Sequence, residues 1–252
     1  MIKNVIKRFV KAFVRKFGYT LLNLENDEFN QFNKQDQSIV NLYAKYSMTS
    51  DLRRSALLKS FHYIKNNKIK GDFVECGVWE GGNIMTLQHL NNIYKTNKKI
   101  YAYDTFLGMP EPTKFDIKTK DGTIASDKFE KFKDEGQFSD WDKCTIEKVT
   151  ENFKKHNLDM SNLKLIKGKV ENTLLDKINL PEKISLLRLD TDFYESTKLE
   201  LETLYPLLSK EGVLIIDDYG AWQGAKKAVD EYFKDVVVWM HYIDHDCRLI
   251  IK

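Results

Sequence analysis

The sequence is poor in the features that mark whole classes of protein. Its three cysteines, Cys76, Cys144 and Cys247, are odd in number, far apart and form no C-x-x-C pair. That excludes a disulfide framework and a zinc ribbon, and it points to a reducing, cytoplasmic compartment. No apolar run approaches the ~20 residues of a membrane span. The N-terminus lacks the unbroken apolar core of a signal peptide. A net charge of +3 in 252 residues is too small to argue for nucleic acid, so no nucleic-acid partner is expected. There is no G-x-G-x-x-G, no internal repeat and no low-complexity tract.

What charge there is sits unevenly. Residues 1–17 carry Lys3, Lys7, Arg8, Lys11, Arg15 and Lys16 and no acid, which leaves the rest of the chain mildly acidic. Ile2, Val5, Ile6, Phe9, Val10, Phe13, Val14 and Phe17 recur at helical spacing. This segment predicts an amphipathic helix suited either to an anionic membrane surface or to docking on the domain or a second subunit. Residues 1–66 as a whole are expected to be an N-terminal helical extension. Within it, Asn23–Gln37 reads as irregular or loosely helical, and a helix capped by Thr49 or Ser50 runs to Asn66.

The informative stretch is Asp72–Gly82, DFVECGVWEGG. A short apolar strand runs into a glycine-rich turn and then a helix, which is the opening of a nucleotide-binding α/β unit. Glycine lets the backbone approach a ligand. Glu75 would repel a pyrophosphate but suits a sulfonium, which favours S-adenosylmethionine over NAD. Ile100–Tyr103 is the second strand. It ends in Asp104, placed to accept hydrogen bonds from both hydroxyls of an adenosyl ribose, with a helix cap as the alternative. Residues 113–142 are polar and long, and predict a mobile lid.

A helix over Thr145–His156 precedes strands at Leu163–Ile166, Ile184–Leu189 and Val213–Ile216, with helices at Glu195–Leu208 and Ala225–Phe233. VVVWMHYI (Val236–Ile243) and CRLIIK (Cys247–Lys252) read as a closing antiparallel hairpin. Alternating strands and helices imply a mostly parallel sheet with helices on both faces, here seven-stranded and Rossmann-like. Residues 67–252 form this domain.

Strands four and five end in Asp190 and in Asp217-Asp218. Neighbouring strands lie ~4.8 Å apart, so these carboxylates gather at one sheet edge and repel one another unless protonated or bound to a cation. An all-oxygen set suits Mg²⁺, Mn²⁺ or Ca²⁺; helix caps or solvated turns are the alternative. Alternation points Asp192 away from Asp190. His241 and His245 fall in the hairpin, where their spacing does not converge on one ion.

VECGVWEGG (Val74–Gly82), YDTFLGMPEP (Tyr103–Pro112), LLRLDTDFYEST (Leu186–Thr197) and LIIDDYGAWQGAKKAVDEYF (Leu214–Phe233) resemble the macrocin O-methyltransferase family. The likeness covers roughly Ser47–Phe233. It implies a class I, S-adenosylmethionine-dependent, metal-assisted enzyme acting on a sugar hydroxyl. It places Glu75, Gly77, Gly81, Asp104, Thr105, Lys169 and Val170 at the cofactor and Asp190, Asp217 and Asp218 at Mg²⁺ or Mn²⁺, with Asp190 also the catalytic base. The expected acceptor is a nucleotide-linked sugar, a surface glycan precursor or a glycosylated natural product, and the expected assembly a homo-oligomer, with peripheral contact at the inner face of the membrane through residues 1–17. Lys114–Trp141 contains no histidine to serve as base. The rival readings are a catechol-type O-methyltransferase and a catalytically silent adenosyl-binding subunit.

Overall fold

The computed structural model describes residues 10, 12–18, 29–133 and 138–252. Most of the expected 1–17 helix lies outside them; residues 12–15 are helical, and Phe13 and Phe17 are exposed. No helix among the described residues is long and apolar enough to cross a membrane.

Two helices precede the sheet. Helix α1 (Lys34–Tyr43) begins where the Asn33 side chain accepts from the Asp36 amide. It runs through the end of the stretch read from sequence as irregular. Only Ile39, Val40 and Tyr43 mark its apolar face, and they are buried. Helix α2 (Asp51–Asn66) is capped by Ser50 as expected.

From there strands and helices alternate: β1 (Asp72–Cys76), α3 (Gly82–Tyr94), β2 (Ile100–Asp104), β3 (Met109–Pro110), α4 (Ala125–Phe132), β4 (Phe138–Ser139), α5 (Ile146–Lys155), β5 (Leu163–Lys167), α6 (Val170–Thr173), β6 (Ile184–Leu189), α7 (Tyr194–Leu204), β7 (Leu208–Ile216), α8 (Gln223–Tyr232), β8 (His241–Tyr242) and β9 (Arg248–Ile251). The seven-stranded sheet has the order β5-β2-β1-β6-β7-β9-β8. Its first five strands pair in parallel, and β9 is antiparallel to both β7 and β8.

The pleat sorts the core into two layers. Phe73, Leu186, Val213 and Ile215 face α1, α2, α3 and α5. Val74, Cys76, Leu187, Leu189, Leu214 and Ile216 face α7 and α8. All three cysteines are buried and free.

Three boundaries differ from the sequence reading. Strand β7 starts at Leu208 instead of Val213. Helix α7 stops at Leu204 and tightens into a 3₁₀ turn, Tyr205–Leu207, where Pro206 cannot supply an amide. The strand expected over Val236–Ile243 shrinks to His241–Tyr242. Val238 and Met240 are held by side-chain packing on the second core layer, while Val237 and Trp239 face solvent; β-branched residues favour strands only where a ladder is offered.

The 113–142 insertion carries structure of its own. Strand β4 pairs with β3, and α4 lies between them in sequence. Asp116, fully buried, accepts from the Thr113 amide and hydroxyl with one oxygen and from the Tyr194 amide with the other, fastening the insertion to the start of α7.

Candidate active site

One cavity opens at the carboxyl ends of β1, β2, β6 and β7, where an open parallel sheet receives its ligand. Its first wall is the glycine turn. Gly77 has φ 79°, and a Cβ there would overlap the carbonyl oxygen of Asp190, so the position requires glycine. The following amides of Val78 and Trp79 donate to Asp104 Oδ2 at 2.8 and 3.2 Å, and the Phe106 amide donates to Oδ1 at 2.8 Å. Burial raises the Asp104 pKa and these amides oppose the rise. Oδ2 is filled by its two amides, whereas Oδ1, with the Phe106 amide and a long 3.4 Å contact from the Thr105 hydroxyl, is the oxygen that can accept from a ribose hydroxyl.

Gly77, Asp104, Thr105, Lys169 and Val170 line the cavity. Glu75 and Gly81 are not in its wall. Gly81 begins α3 in a left-handed conformation. Glu75 is buried beneath the cavity, where Oε1 accepts from Asn83 Nδ2 at 3.0 Å and Arg188 Nη1 at 2.6 Å. Oε1 is thus engaged by an arginine, while Oε2 is buried without a hydrogen-bond partner among the described residues.

Two arginines that the sequence reading passed over organise the acids. Arg188 donates from Nη1 to Glu75 and to Asp190 Oδ2 (2.7 Å), and from Nη2 to Asp217 Oδ1 (2.7 Å). Arg53 on α2 reaches Asp217 Oδ2 at 2.6 Å, Asp244 at 2.8 Å and Asp246 at 2.6 Å. Burial works against charge on both guanidiniums; the carboxylates more than reverse it, and both pKa values rise. The signal for Arg188 was present in the sequence: an arginine inside the apolar run ISLLRL is costly unless paired.

Asp190, Asp217 and Asp218 come together as expected. Each offers an oxygen, and these oxygens lie within 4.8 Å of one another. Burial raises the pKa of Asp190 and of Asp218; Arg188 opposes it at the first, Arg53 at the second, and neighbouring carboxylates add to it at both. Asp192 does not point away. A left-handed φ of 65° takes it off the strand's alternation, its amide donates to Asp218 Oδ2 at 3.2 Å, and it lines the cavity. Burial and the adjacent Asp190 push its pKa up to about 7.

Around two guanidiniums stand Glu75, Asp190, Asp192, Asp217, Asp218, Asp244 and Asp246, an excess of negative charge. Asp190 Oδ1 takes no hydrogen bond among the described residues, whereas both oxygens of Asp217 are held by arginine. The hard-oxygen donor set and its unbalanced charge fit a divalent cation such as Mg²⁺. None of the chain's five histidines lines the cavity. Below it, Thr191 donates to Glu200, a fully buried acid whose pKa burial pushes well up.

The family model described as Macrocin-O-methyltransferase (TylF) matches residues 6–250. Demethyldecarbamoylnovobiocin O-methyltransferase of Streptomyces niveus is 30% identical over 168 residues, 66% of this chain and 59% of that protein. The 8-demethyl-8-(2,3-dimethoxy-alpha-L-rhamnosyl)-tetracenomycin-C 4'-O-methyltransferase of Streptomyces olivaceus is 30% identical over 165 residues, 65% of this chain and 58% of that protein. The matches thus span less than two thirds of these relatives' own length. Among solved structures, the O-methyltransferase NovP superposes with a TM-score of 0.69 at 24% identity, covering 82% of each chain. CalS11, a calicheamicin methyltransferase, gives 0.58 at 18% identity, over 87% of this chain and 93% of that one. With its sheet order and the family match running nearly end to end, the chain has the class I methyltransferase fold and belongs to the macrocin O-methyltransferase family.

Proposed function

We propose that the chain is an S-adenosylmethionine-dependent O-methyltransferase that methylates a hydroxyl of a sugar-containing small molecule with the help of a divalent cation. The observation that carries this reading is the meeting, in one cavity, of the Gly77–Asp104 wall with the oxygens of Asp190, Asp217 and Asp218. The relatives in Streptomyces are named as O-methyltransferases, one of them of a rhamnosyl natural product, which supports the acceptor class.

The chain's residues divide the work. The Gly77 turn and Asp104 hold the adenosyl ribose and fix the direction of approach. Bound S-adenosylmethionine supplies an electrophilic methyl carbon, and a cation on Asp190, Asp217 and Asp218 lowers the pKa of a hydroxyl beside it. With the methyl group passing from sulfur to the acceptor oxygen, Asp190 would accept the hydroxyl proton at Oδ1, the oxygen that takes no hydrogen bond among the described residues. Arg188 fixes the orientation of that carboxylate through Oδ2. Residues 113–142 close over the acceptor as a lid, and residues 1–17 contact an anionic surface or a second subunit.

Calorimetry with S-adenosylhomocysteine against NAD, followed by transfer of labelled methyl to a panel of sugars and catechols, tests the reading. Binding of NAD alone, or transfer to catechols only, would sink it.

A further inference from the structure

We propose that Lys128, with Lys118 beside it, binds an anionic group, phosphate or carboxylate, that the acceptor carries next to the sugar being methylated. This rests on the methyltransferase reading and names the class of its acceptor.

Lys128 projects from α4 onto Trp141, with Nζ 3.8 Å from the ring centroid. Trp141 is only 5% exposed and packs at 5.9 Å against both Phe193 and Trp222. This aromatic platform lies between the insertion, α7 and α8, and the residue after Trp141, Asp142, is in the cavity wall. The ammonium is therefore fixed on this platform, beside the cavity-wall residue Asp142, by a cation–π contact.

The charge of Lys128 is not consumed. Among the described residues no carboxylate lies within ion-pair distance of it, although Lys133, Lys143, Lys226 and Lys227 nearby are each paired, with Glu130, Asp140, Asp230 and Glu231 respectively. Half-burying an ammonium without a partner is unfavourable. Burial lowers its pKa, Lys118 lowers it further, and Asp142 and Asp192 oppose the fall, so these are the charges it faces. Lys118 is itself exposed and unpaired among the described residues. Its backbone is tied to Thr123 and bridged to Trp222, which anchors this second cation to the same aromatic platform.

Charge then sets the acceptor's orientation. The inner cavity is crowded with carboxylates and rejects an anion, while it suits a neutral diol. The platform beside the wall residues Asp142 and Asp192 offers two cations, Lys128 and Lys118. A sugar with its hydroxyls inward and an anionic substituent outward satisfies both ends. Lysine acts as a point charge without the forked geometry of arginine, so it serves a diphosphate or a uronic carboxylate equally.

The test uses the full-length chain with S-adenosylhomocysteine in metal-free buffer and titrates inorganic pyrophosphate and, separately, glucuronate. Binding of the first assigns the anion as phosphate; of the second, as carboxylate. Lys128→Met keeps the stem over Trp141 and loses the charge. It should weaken the bound probe by roughly tenfold or more, as loss of a charged hydrogen bond does, while Lys128→Arg should retain it. Equal affinity in wild type and Lys128→Met, or no binding of either probe to wild type, overturns the proposal. In the acceptor panel, nucleoside-diphosphate sugars or hexuronides should show lower KM than neutral glycosides; transfer to neutral glycosides alone also overturns it. Failure to bind S-adenosylhomocysteine would remove the methyltransferase reading and leave the anion measurement standing by itself.

Discussion

Arg53 Nη1 stands 2.6 Å from Asp217 Oδ2 across 164 positions of sequence. The same guanidinium holds Asp244 and Asp246 in the turn of the closing hairpin. A helix that precedes the sheet and a turn that ends it are thus clamped to one carboxylate of the candidate site.

Removing that clamp leaves three carboxylates facing one another. Arg53→Ala should cost about 3–5 kcal/mol of stability, the scale for breaking a buried pair. Arg53→Lys should recover little, because one ammonium cannot span three acids. The pH dependence has a definite sign. Burial alone would raise the Asp244 pKa, but Arg53 and Ser50 bring it down to about 2. A depressed carboxylate adds stability above its unfolded pKa of about 3.9 and loses it as pH falls toward the folded value. Urea midpoints of the wild type should therefore drop between about pH 4 and 2, and this part of the drop should be absent in Arg53→Ala. Equal slopes would show that the pair contributes nothing.

Asp104→Ala should weaken S-adenosylhomocysteine binding by roughly 1–3 kcal/mol, since it removes a charged acceptor and frees the Val78 and Trp79 amides. Isothermal titration measures it directly. Unaltered affinity would take Asp104 out of the cofactor site.

Glu200 has the opposite sign to Asp244. Its raised pKa means the folded chain keeps a proton that the unfolded chain releases. Its contribution is complete below the unfolded pKa of about 4.3 and declines as pH rises toward the folded value. Glu200→Gln retains a neutral partner for Thr191 and should melt higher than wild type at pH 8, with the advantage shrinking toward pH 5. A difference in melting temperature that ignores pH would mean the acid is not held neutral.

Chelation should abolish methyl transfer, and Mg²⁺ or Mn²⁺ should restore it. Asp218→Asn should need more metal for half-maximal activity and be partly rescued by excess. Asp190→Asn should be rescued least, because it removes the proton acceptor along with a ligand, by roughly 10²-fold or more in kcat. Full turnover in metal-free protein would leave Asp190 as a base acting without a cation.

The sequence made the sheet legible because each parallel strand is a short apolar run bounded by glycine or acid; Ile184–Leu189 is found where it was expected. Asp190, Asp217 and Asp218 were legible for a related reason. Residues that end adjacent parallel strands must lie side by side, so three acids in that position meet whatever the loops do. What stayed hidden depends on contacts between distant segments. Arg53 reads as one more cation on a polar helix until the hairpin turn is folded against it. Glu75 reads as a ligand group because nothing local reveals that Arg188, on the neighbouring strand, takes its charge. Asp192 defeated the alternation rule because the chain turns left-handed just past the strand's end. The Val236–Met240 segment has strand-like composition but no ladder to join.

Trp239 on that segment is 84% exposed, whereas Trp141 and Trp222 are 5% exposed and Trp79 lines the cavity. The four indoles therefore form two spectroscopic populations. Trp239 emits from water and is open to iodide. Trp141 and Trp222 emit from buried positions shielded from a collisional quencher, and Trp79 emits from the cavity wall, where a bound ligand covers it. Iodide can silence the first population while ligands are titrated against the second, so the unlabelled protein carries its own optical reporter of cavity occupancy. A blue shift confined to Trp239 would instead register the covering of the sheet's edge.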